Sequence, residues 1–225
     1  MENVKKGRKM RDLTIKTTLD EKIITIIRGV EREKLVPLAE ALYAGGIRML
    51  ELTYDAKGVL PDIENAKNIE MLVKKFEGRM LVGAGTVIRE NQVELTRAAG
   101  GTFIISPDTC QRIIEKTREL DMVSMPGALT PTEIAAAHSY GADFVKLFPV
   151  NVFGVDYVKA VKAPLSHVKL LAVGGVDENN IADYLKAGAV GFGIGSGVVK
   201  KCLIDANDFD GVCALAEKYT KAIGK

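Results

Sequence analysis

Tryptophan is absent from this chain of 225 residues, and aromatic residues make up only 6% of it. Cysteine is also scarce. The three cysteines, Cys110, Cys202 and Cys213, lie far apart and lack metal-ligand spacing. We therefore expect a reduced, cytoplasmic protein that holds no metal ion. No apolar run approaches the ~18 residues that a membrane-spanning helix needs, and we expect no signal peptide.

Excess charge of either sign is likewise missing, since 31 basic and 29 acidic side chains give a net charge of +2. Such a balance favours neither a nucleic-acid groove nor attachment to a membrane surface, so we expect neither partner. Seven of the basic residues lie within residues 1–22, which carry four acidic ones. We interpret residues 1–21 as a solvated lead-in segment rather than as an arm that seeks phosphate.

Glycine, by contrast, is abundant, at 22 residues against a usual share of ~7%. The hydrophobic content of 47% is enough for a sizeable core. No linker or break in composition divides the chain, and barrels of roughly 200–250 residues commonly form one domain. We therefore predict a single compact domain over residues 22–225.

Short apolar runs rich in β-branched residues alternate with helical stretches along this domain. This alternation predicts βαβ units and a parallel sheet, and the almost continuous apolar character suits strands covered on both faces. Eight such units match a compact (β/α)8 TIM barrel, with a doubly wound open sheet as the alternative. The predicted strands are residues 22–28, 47–53, 80–83, 102–106, 122–125, 142–149, 168–173 and 189–194.

One set of glycines falls directly after the predicted strands, which places it at the C-terminal rim where barrel enzymes carry their active sites. The runs 173–175 and 193–197 follow the seventh and eighth strands. Loops at these two positions frequently bind phosphate through backbone N–H groups. The pattern predicts a phosphorylated ligand, although tight turns alone would also explain it. Residues 106–108, which end the fourth strand, are expected to shape the pocket floor.

Three predicted strands carry an ionisable residue on an otherwise apolar face, namely Arg28, Glu51 and Lys146. An unpaired buried charge is costly, so these groups should be paired, neutral or functional. Lys146 is either an ion-pair partner, a lysine that reaches the rim, or a Schiff-base nucleophile whose pKa is lowered by burial. Glu51 is either its partner or a general acid/base.

Five motifs together resemble one known family, the class I 2-keto-3-deoxy-6-phosphogluconate / 4-hydroxy-2-oxoglutarate aldolases. The resemblance extends over roughly residues 22 to 200. The motifs are Gly83-Ala84-Gly85-Thr86-Val87, Ile105-Ser106-Pro107, Met125-Pro126-Gly127, Lys146-Leu147-Phe148-Pro149 and Val173-Gly174-Gly175-Val176.

The resemblance implies a homotrimeric barrel that uses no cofactor and cleaves a 2-keto-3-deoxy-6-phospho sugar acid to pyruvate and glyceraldehyde 3-phosphate. It also raises cleavage of 4-hydroxy-2-oxoglutarate to pyruvate and glyoxylate. It identifies Lys146 as the Schiff-base lysine, Glu51 as the general acid/base, and Thr86 as the contact of the pyruvate carboxylate. Further substrate-binding residues implied are Arg28, Pro107, Gly174, Gly175, Gly195 and Ser196.

Two residues depart from the phosphogluconate-type pattern. Asp55 stands where many members carry an arginine that holds the substrate carboxylate, and Val173 stands where they carry threonine. The run Ala172-Val173-Gly174-Gly175-Val176, together with Phe153-Gly154 and Tyr157-Val158-Lys159-Ala160, looks more like the phosphogalactonate aldolases. An aspartate would repel the substrate carboxylate unless it turned away.

Two other functions remain open on the sequence alone. One is a phosphosugar isomerase, epimerase or synthase, which would use the same glycine-rich loops without needing Lys146. The other is a non-catalytic trimeric binding protein in which Asp55 marks a decayed site.

Overall fold

A computed structural model describes residues 2–225, with side chains described from residue 9 onward. Its strands form one parallel sheet, and each predicted strand is present, often shortened at its ends. The strands are β1 (Ile23–Ile27), β2 (Met49–Thr53), β3 (Leu81–Gly85), β4 (Phe103–Ile105), β5 (Val123–Met125), β6 (Gly127–Ala128), β7 (Val145–Leu147), β8 (Leu170–Val173) and β9 (Ala189–Ile194).

The sheet is a (β/α)8 barrel, as the sequence predicts. Strand β1 pairs with both β2 and β9, and the strand order runs from β5 through β1 and β9 to β6. The short strands β5 and β6 are the two halves of the fifth barrel strand, separated by Pro126. Proline has no N–H to donate to a ladder, so the strand is interrupted at this point.

The first helix precedes β1, and the other helices follow strands and cover the outside of the barrel. They are α1 (Glu2–Glu21), α2 (Arg32–Ala44), α3 (Asp62–Lys75), α4 (Glu90–Ala98), α5 (Gln111–Glu119), α6 (Pro131–Ser139), α7 (Gly154–Lys162), α8 (Ile181–Lys186), α9 (Lys201–Asp205) and α10 (Phe209–Ala222), with a 3-10 turn at Val150–Val152. Within the described residues, no helix is both long and apolar enough to cross a membrane.

Two apolar clusters explain why strands of this composition form a barrel. The larger one lies between strands and helices, and the smaller one fills the barrel interior with residues such as Met49, Phe103 and Phe144. The alternation of side chains along β2 puts Met49 and Glu51 on the interior face, as the sequence predicts. The interior layers therefore support the charged side chains of the C-terminal rim from below.

The segment interpreted as a solvated lead-in is instead the helix α1, which packs against the N-terminal end of the barrel. Ile15 and Leu19 pack against the interior cluster. Arg11 forms an ion pair with Asp143, a carboxylate that also accepts a hydrogen bond from Arg118. The expectation of solvation was wrong for these residues because α1 buries its apolar face under the barrel; the side chains of residues 1–8 lie outside the described part.

Candidate active site

A cavity of about 730 Å³ opens at the C-terminal ends of the strands. Its position agrees with the rim at which barrel enzymes place their chemistry. The structure brings every predicted site residue to its wall. These residues are Arg28, Glu51, Thr86, Pro107, Lys146, Gly174, Gly175, Gly195 and Ser196.

Glu51 is a buried carboxyl group in the cavity wall. Strand β2 places it on the interior face, where its residue is only 2% exposed. Its Oε2 atom has no hydrogen-bond partner among the described residues. Burial raises the pKa of Glu51 to about 7, and the positive charges of Lys146 and Arg28 oppose that rise. A carboxyl group with this pKa exchanges protons readily near neutral pH.

Gly85 makes the space that the Glu51 carboxyl group occupies. A Cβ atom built on Gly85 would lie 2.4 Å from Glu51 Oε1, closer than nonbonded atoms approach. The register pairs Glu51 with Gly83 and Thr53 with Gly85, so Gly85 is diagonal to Glu51 on the neighbouring strand. Close packing against Glu51 therefore requires glycine at position 85.

Lys146 lies on β7, and its side chain points towards the same cavity as Glu51. Burial lowers the pKa of Lys146, the carboxylate of Glu51 acts against this, and Arg28 reinforces it. Lys146 Nζ lies 4.8 Å from the ring centroid of Phe148. Because burial lowers this pKa, a larger fraction of the amine is neutral and available for attack on a carbonyl.

Arg28 and Thr86 form a polar pair at the rim. Arg28 Nη2 donates a hydrogen bond of 2.9 Å to Thr86 Oγ1. Thr86 has a φ angle of 55°, in the left-handed region that β-branched residues seldom adopt. Strained residues of this kind concentrate at ligand sites, where the surrounding structure holds them. The guanidinium and hydroxyl groups offer donors to an anionic group such as a carboxylate.

Two glycine-rich loops, one after β8 and one after β9, form a further part of the cavity wall. Among the described residues, the backbone N–H groups of Gly175, Ser196 and Gly197 donate no hydrogen bond to the protein. Gly175 has a φ angle of 70°, and a Cβ atom there would lie 2.5 Å from the Cβ atom of Asn151. Bare N–H groups that converge on a cavity are suited to bind an anion such as phosphate.

Pro107 contributes to the cavity wall from the loop after β4. A Cβ atom on Gly127 would lie 2.2 Å from the Pro107 carbonyl oxygen, so the loop can pack here only against a glycine. Thr109 Oγ1 donates a hydrogen bond to the Gly127 carbonyl oxygen and joins the two loops. Because proline has no side-chain donor, Pro107 contributes to the cavity through its shape.

Asp55 does not enter the cavity that holds Lys146. Its carboxylate accepts hydrogen bonds from the backbone N–H groups of Lys57, Val59 and Leu60, at 2.8 to 3.1 Å. The N–H groups of Leu60 and Lys57 lower the pKa of Asp55. The aspartate organises its own loop after β2, and the repulsion of a substrate carboxylate that the sequence raised does not arise from it.

Tyr219 is among the residues of the cavity wall that the sequence analysis missed. Tyr219 comes from α10, near the end of the chain, and lines the cavity beside the second glycine loop. Its position in an amphipathic helix predicts only a core residue. The last helix packs against α2 and α9 and brings Tyr219 to Gly197 in the loop after β9, and no sequence motif signals this. Among the described residues, the His, Cys, Asp and Glu side chains form no cluster of three or more that could hold a metal ion.

An amine of lowered pKa beside a titrating carboxyl group, at the rim of a barrel, places the protein among the Schiff-base lyases. Sequence comparison then gives the family. A family model described as "Aldolase: KDPG and KHG aldolase" matches residues 15–215. The chain belongs to this aldolase family and is a class I aldolase, a carbon–carbon lyase.

Individual relatives agree with this assignment. A protein of Rhizobium meliloti (strain 1021), named "Probable 2-dehydro-3-deoxy-6-phosphogalactonate aldolase", is 36% identical over 183 residues, or 81% of this chain and 84% of that protein. The crystal structure of KDPG aldolase from Legionella pneumophila, with pyruvate captured as a covalent carbinolamine, has a TM-score of 0.79 and 30% identity over 88% of this chain and 93% of that one.

A third similar structure is a designed, cube-shaped protein cage made by fusing symmetric oligomeric domains. It has a TM-score of 0.79 and 29% identity over 89% of this chain and 71% of that chain. The high coverage of all three comparisons agrees with the match of the family model to most of the chain.

Proposed function

We propose that this enzyme cleaves a 2-keto-3-deoxy-6-phospho sugar acid to pyruvate and glyceraldehyde 3-phosphate, with Lys146 as the nucleophile. The observation that carries the proposal is the pair formed by Lys146, with its lowered pKa, and Glu51, with its pKa near 7, in one cavity. The carbinolamine of pyruvate in the Legionella relative supports the same chemistry.

The reaction follows from these two groups. Lys146 Nζ attacks the C2 carbonyl, and loss of water gives an iminium ion that accepts electrons. Glu51, acting through water, takes the proton of the C4 hydroxyl group, and the C3–C4 bond breaks. Its electron pair forms an enamine, and the C4 fragment leaves as the aldehyde. Protonation of the enamine at C3 and hydrolysis of the iminium ion release pyruvate and restore Lys146.

Two groups of hydrogen-bond donors in the cavity suit the two anionic ends of this substrate. Arg28 and Thr86 offer donors for the carboxylate, and Pro107 shapes the wall beside them. The N–H groups of the loops at Gly174, Gly175, Gly195 and Ser196 suit the phosphate. Binding at both ends would hold the C3–C4 bond close to Lys146 and Glu51.

Among the two C4 epimers, we propose the phosphogalactonate type as the preferred substrate. Val173 places an apolar side chain in the cavity wall, next to the first glycine loop, and is 5% exposed. The Rhizobium relative carries the phosphogalactonate name. We propose that 4-hydroxy-2-oxoglutarate is cleaved more slowly, since it lacks the phosphate that the loops would bind.

The test is a comparison of three purified substrates, with pyruvate formation followed by a coupled lactate dehydrogenase assay. We expect the phosphogalactonate-type acid to be cleaved fastest and the hydroxyoxoglutarate slowest. Incubation with pyruvate and borohydride should add a reduced adduct that mass spectrometry locates at Lys146. Failure to cleave any substrate, or an adduct at another lysine, would overturn the proposal.

We further propose a homotrimer in which residues 22–225 form one barrel domain and 1–21 precede it, acting in the cytoplasm. Similarity to the cage built from symmetric oligomeric domains supports an oligomer, as do the exposed apolar side chains Val59, Val152 and Phe153. The three cysteines are free thiols, which suits a reducing compartment. Light scattering should give three times the mass of the 24.3 kDa chain, and a monomer would contradict the trimer.

A further inference from the structure

Tyr219 is a largely buried tyrosine in the wall of the cavity. The residue is only 2% exposed, and among the described residues its Oη atom has no hydrogen-bond partner. By comparison, the buried hydroxyl group of Tyr54 contacts Thr96 Oγ1 at 3.0 Å. The Tyr219 side chain lines the cavity, so its unpaired hydroxyl group can donate to a ligand bound there.

The Tyr219 hydroxyl group lies directly against the second glycine loop. A Cβ atom built on Gly197 would be 2.1 Å from Tyr219 Oη, so any larger residue at 197 would displace the hydroxyl group. Gly197 and Tyr219 both line the cavity beside the loop at Gly195 and Ser196. The glycine that follows Ser196 therefore serves to admit a side chain from α10 to this end of the cavity.

The charges around Tyr219 keep its hydroxyl group protonated. Burial raises the pKa of Tyr219 to about 12, and the carboxylates of Glu178 and Asp177 act in the same direction. A neutral hydroxyl group donates to an anion throughout the working pH range. It adds a side-chain donor from α10 to the donors of the two glycine-rich loops.

We propose that Tyr219 donates a hydrogen bond to the phosphate of the substrate and so sets the preference for phosphorylated over unphosphorylated keto acids. This inference rests on the proposed function, which supplies the phosphorylated ligand. Tyr219 touches the part of the substrate farthest from the reacting carbons. It is therefore a specificity residue, and it acts on binding more than on the chemical step.

The Tyr219→Phe variant tests the proposal because it removes the hydroxyl group and keeps the buried ring. We expect kcat/KM for the phosphorylated acid to fall about tenfold, mainly through KM, since a hydrogen bond to a charged group is lost. Cleavage of 4-hydroxy-2-oxoglutarate should stay within about twofold. The matched control is Tyr184→Phe, which changes a tyrosine that is 3% exposed and lies outside the cavity wall.

The Gly197→Ala variant provides a second route to the same hydroxyl group. Its methyl group should displace Tyr219 Oη and lower the affinity for phosphate, whereas the same change in the Tyr219→Phe background should add little. Inorganic phosphate is the probe, with its dissociation constant measured by calorimetry on the free enzyme. Since this needs no turnover, it separates failure of the Tyr219 assignment from failure of the aldolase assignment.

Two outcomes would overturn the role of Tyr219. Equal losses on the phosphorylated and unphosphorylated substrates in Tyr219→Phe would indicate a purely structural role. Unchanged affinity for inorganic phosphate, together with an unchanged KM for the phosphorylated acid, would show that the hydroxyl group does not reach the phosphate.

Discussion

The Lys146→Met variant is expected to lose at least about 10⁴-fold in kcat, because no other group can form the covalent intermediate. Methionine keeps an unbranched chain of similar length in the buried position on β7, so the fold should persist. Turnover is measured by pyruvate release, and trapping with borohydride is measured by mass spectrometry. Both signals should disappear together.

The matched control for Lys146→Met is Lys169→Met. Lys169 precedes β8, and its Nζ atom lies 5.5 Å from the Phe144 ring centroid, but it does not line the cavity. We expect this variant to keep its activity and its borohydride adduct. Trapping of pyruvate that persists in Lys146→Met would place the nucleophile on a different lysine and contradict the assignment.

The Glu51→Gln variant is expected to lower kcat/KM by about 10²–10⁴-fold, the range for loss of a general acid/base. The wild-type enzyme should lose activity as pH falls through about 7, because Glu51 then becomes protonated and can no longer accept the C4 proton. The variant should lack this acid limb. A pH profile of kcat/KM for the wild type and the variant measures both effects.

Stability gives an independent readout for Glu51→Gln. Since burial raises the pKa of Glu51 in the folded state from 4.5 to about 7, its contribution favours folding at low pH and is lost as pH rises through about 7. Glutamine has no such titration, so the variant should gain in melting temperature relative to the wild type at alkaline pH. If the acid limb of the pH profile persists in Glu51→Gln but disappears in Asp55→Asn, Glu51 is not the carboxyl group that transfers the proton.

The sequence predicts the barrel and its polarity from local patterns. The apolar runs mark the strands because a strand covered on both faces must be apolar, and the period of two places Glu51 and Lys146 inside. The glycines after the strands identify the rim. These inferences succeed because they depend on residues close in sequence, and the nine proposed site residues do line one cavity.

What the sequence does not predict depends on contacts between distant residues. The apolar face of α1 packs on the lower end of the barrel through Ile15 and Leu19. The ion pair between Arg11 and Asp143 joins the same two parts of the chain. The carboxylate of Asp55 is turned towards its own loop by backbone N–H groups, which no residue pattern specifies. Tyr219 reaches the cavity because α10 packs beside the loop after β9, which is a matter of tertiary packing.

The helix beneath the barrel also restricts access to the candidate active site to one end of the barrel. Ile15 and Leu19 of α1 and the interior layer at Met49 fill the barrel below Glu51, while the cavity opens at the other end. In the described part of the chain, the barrel is therefore closed at its N-terminal end. We therefore expect the substrate and the products to pass only through the mouth of the cavity at the C-terminal rim.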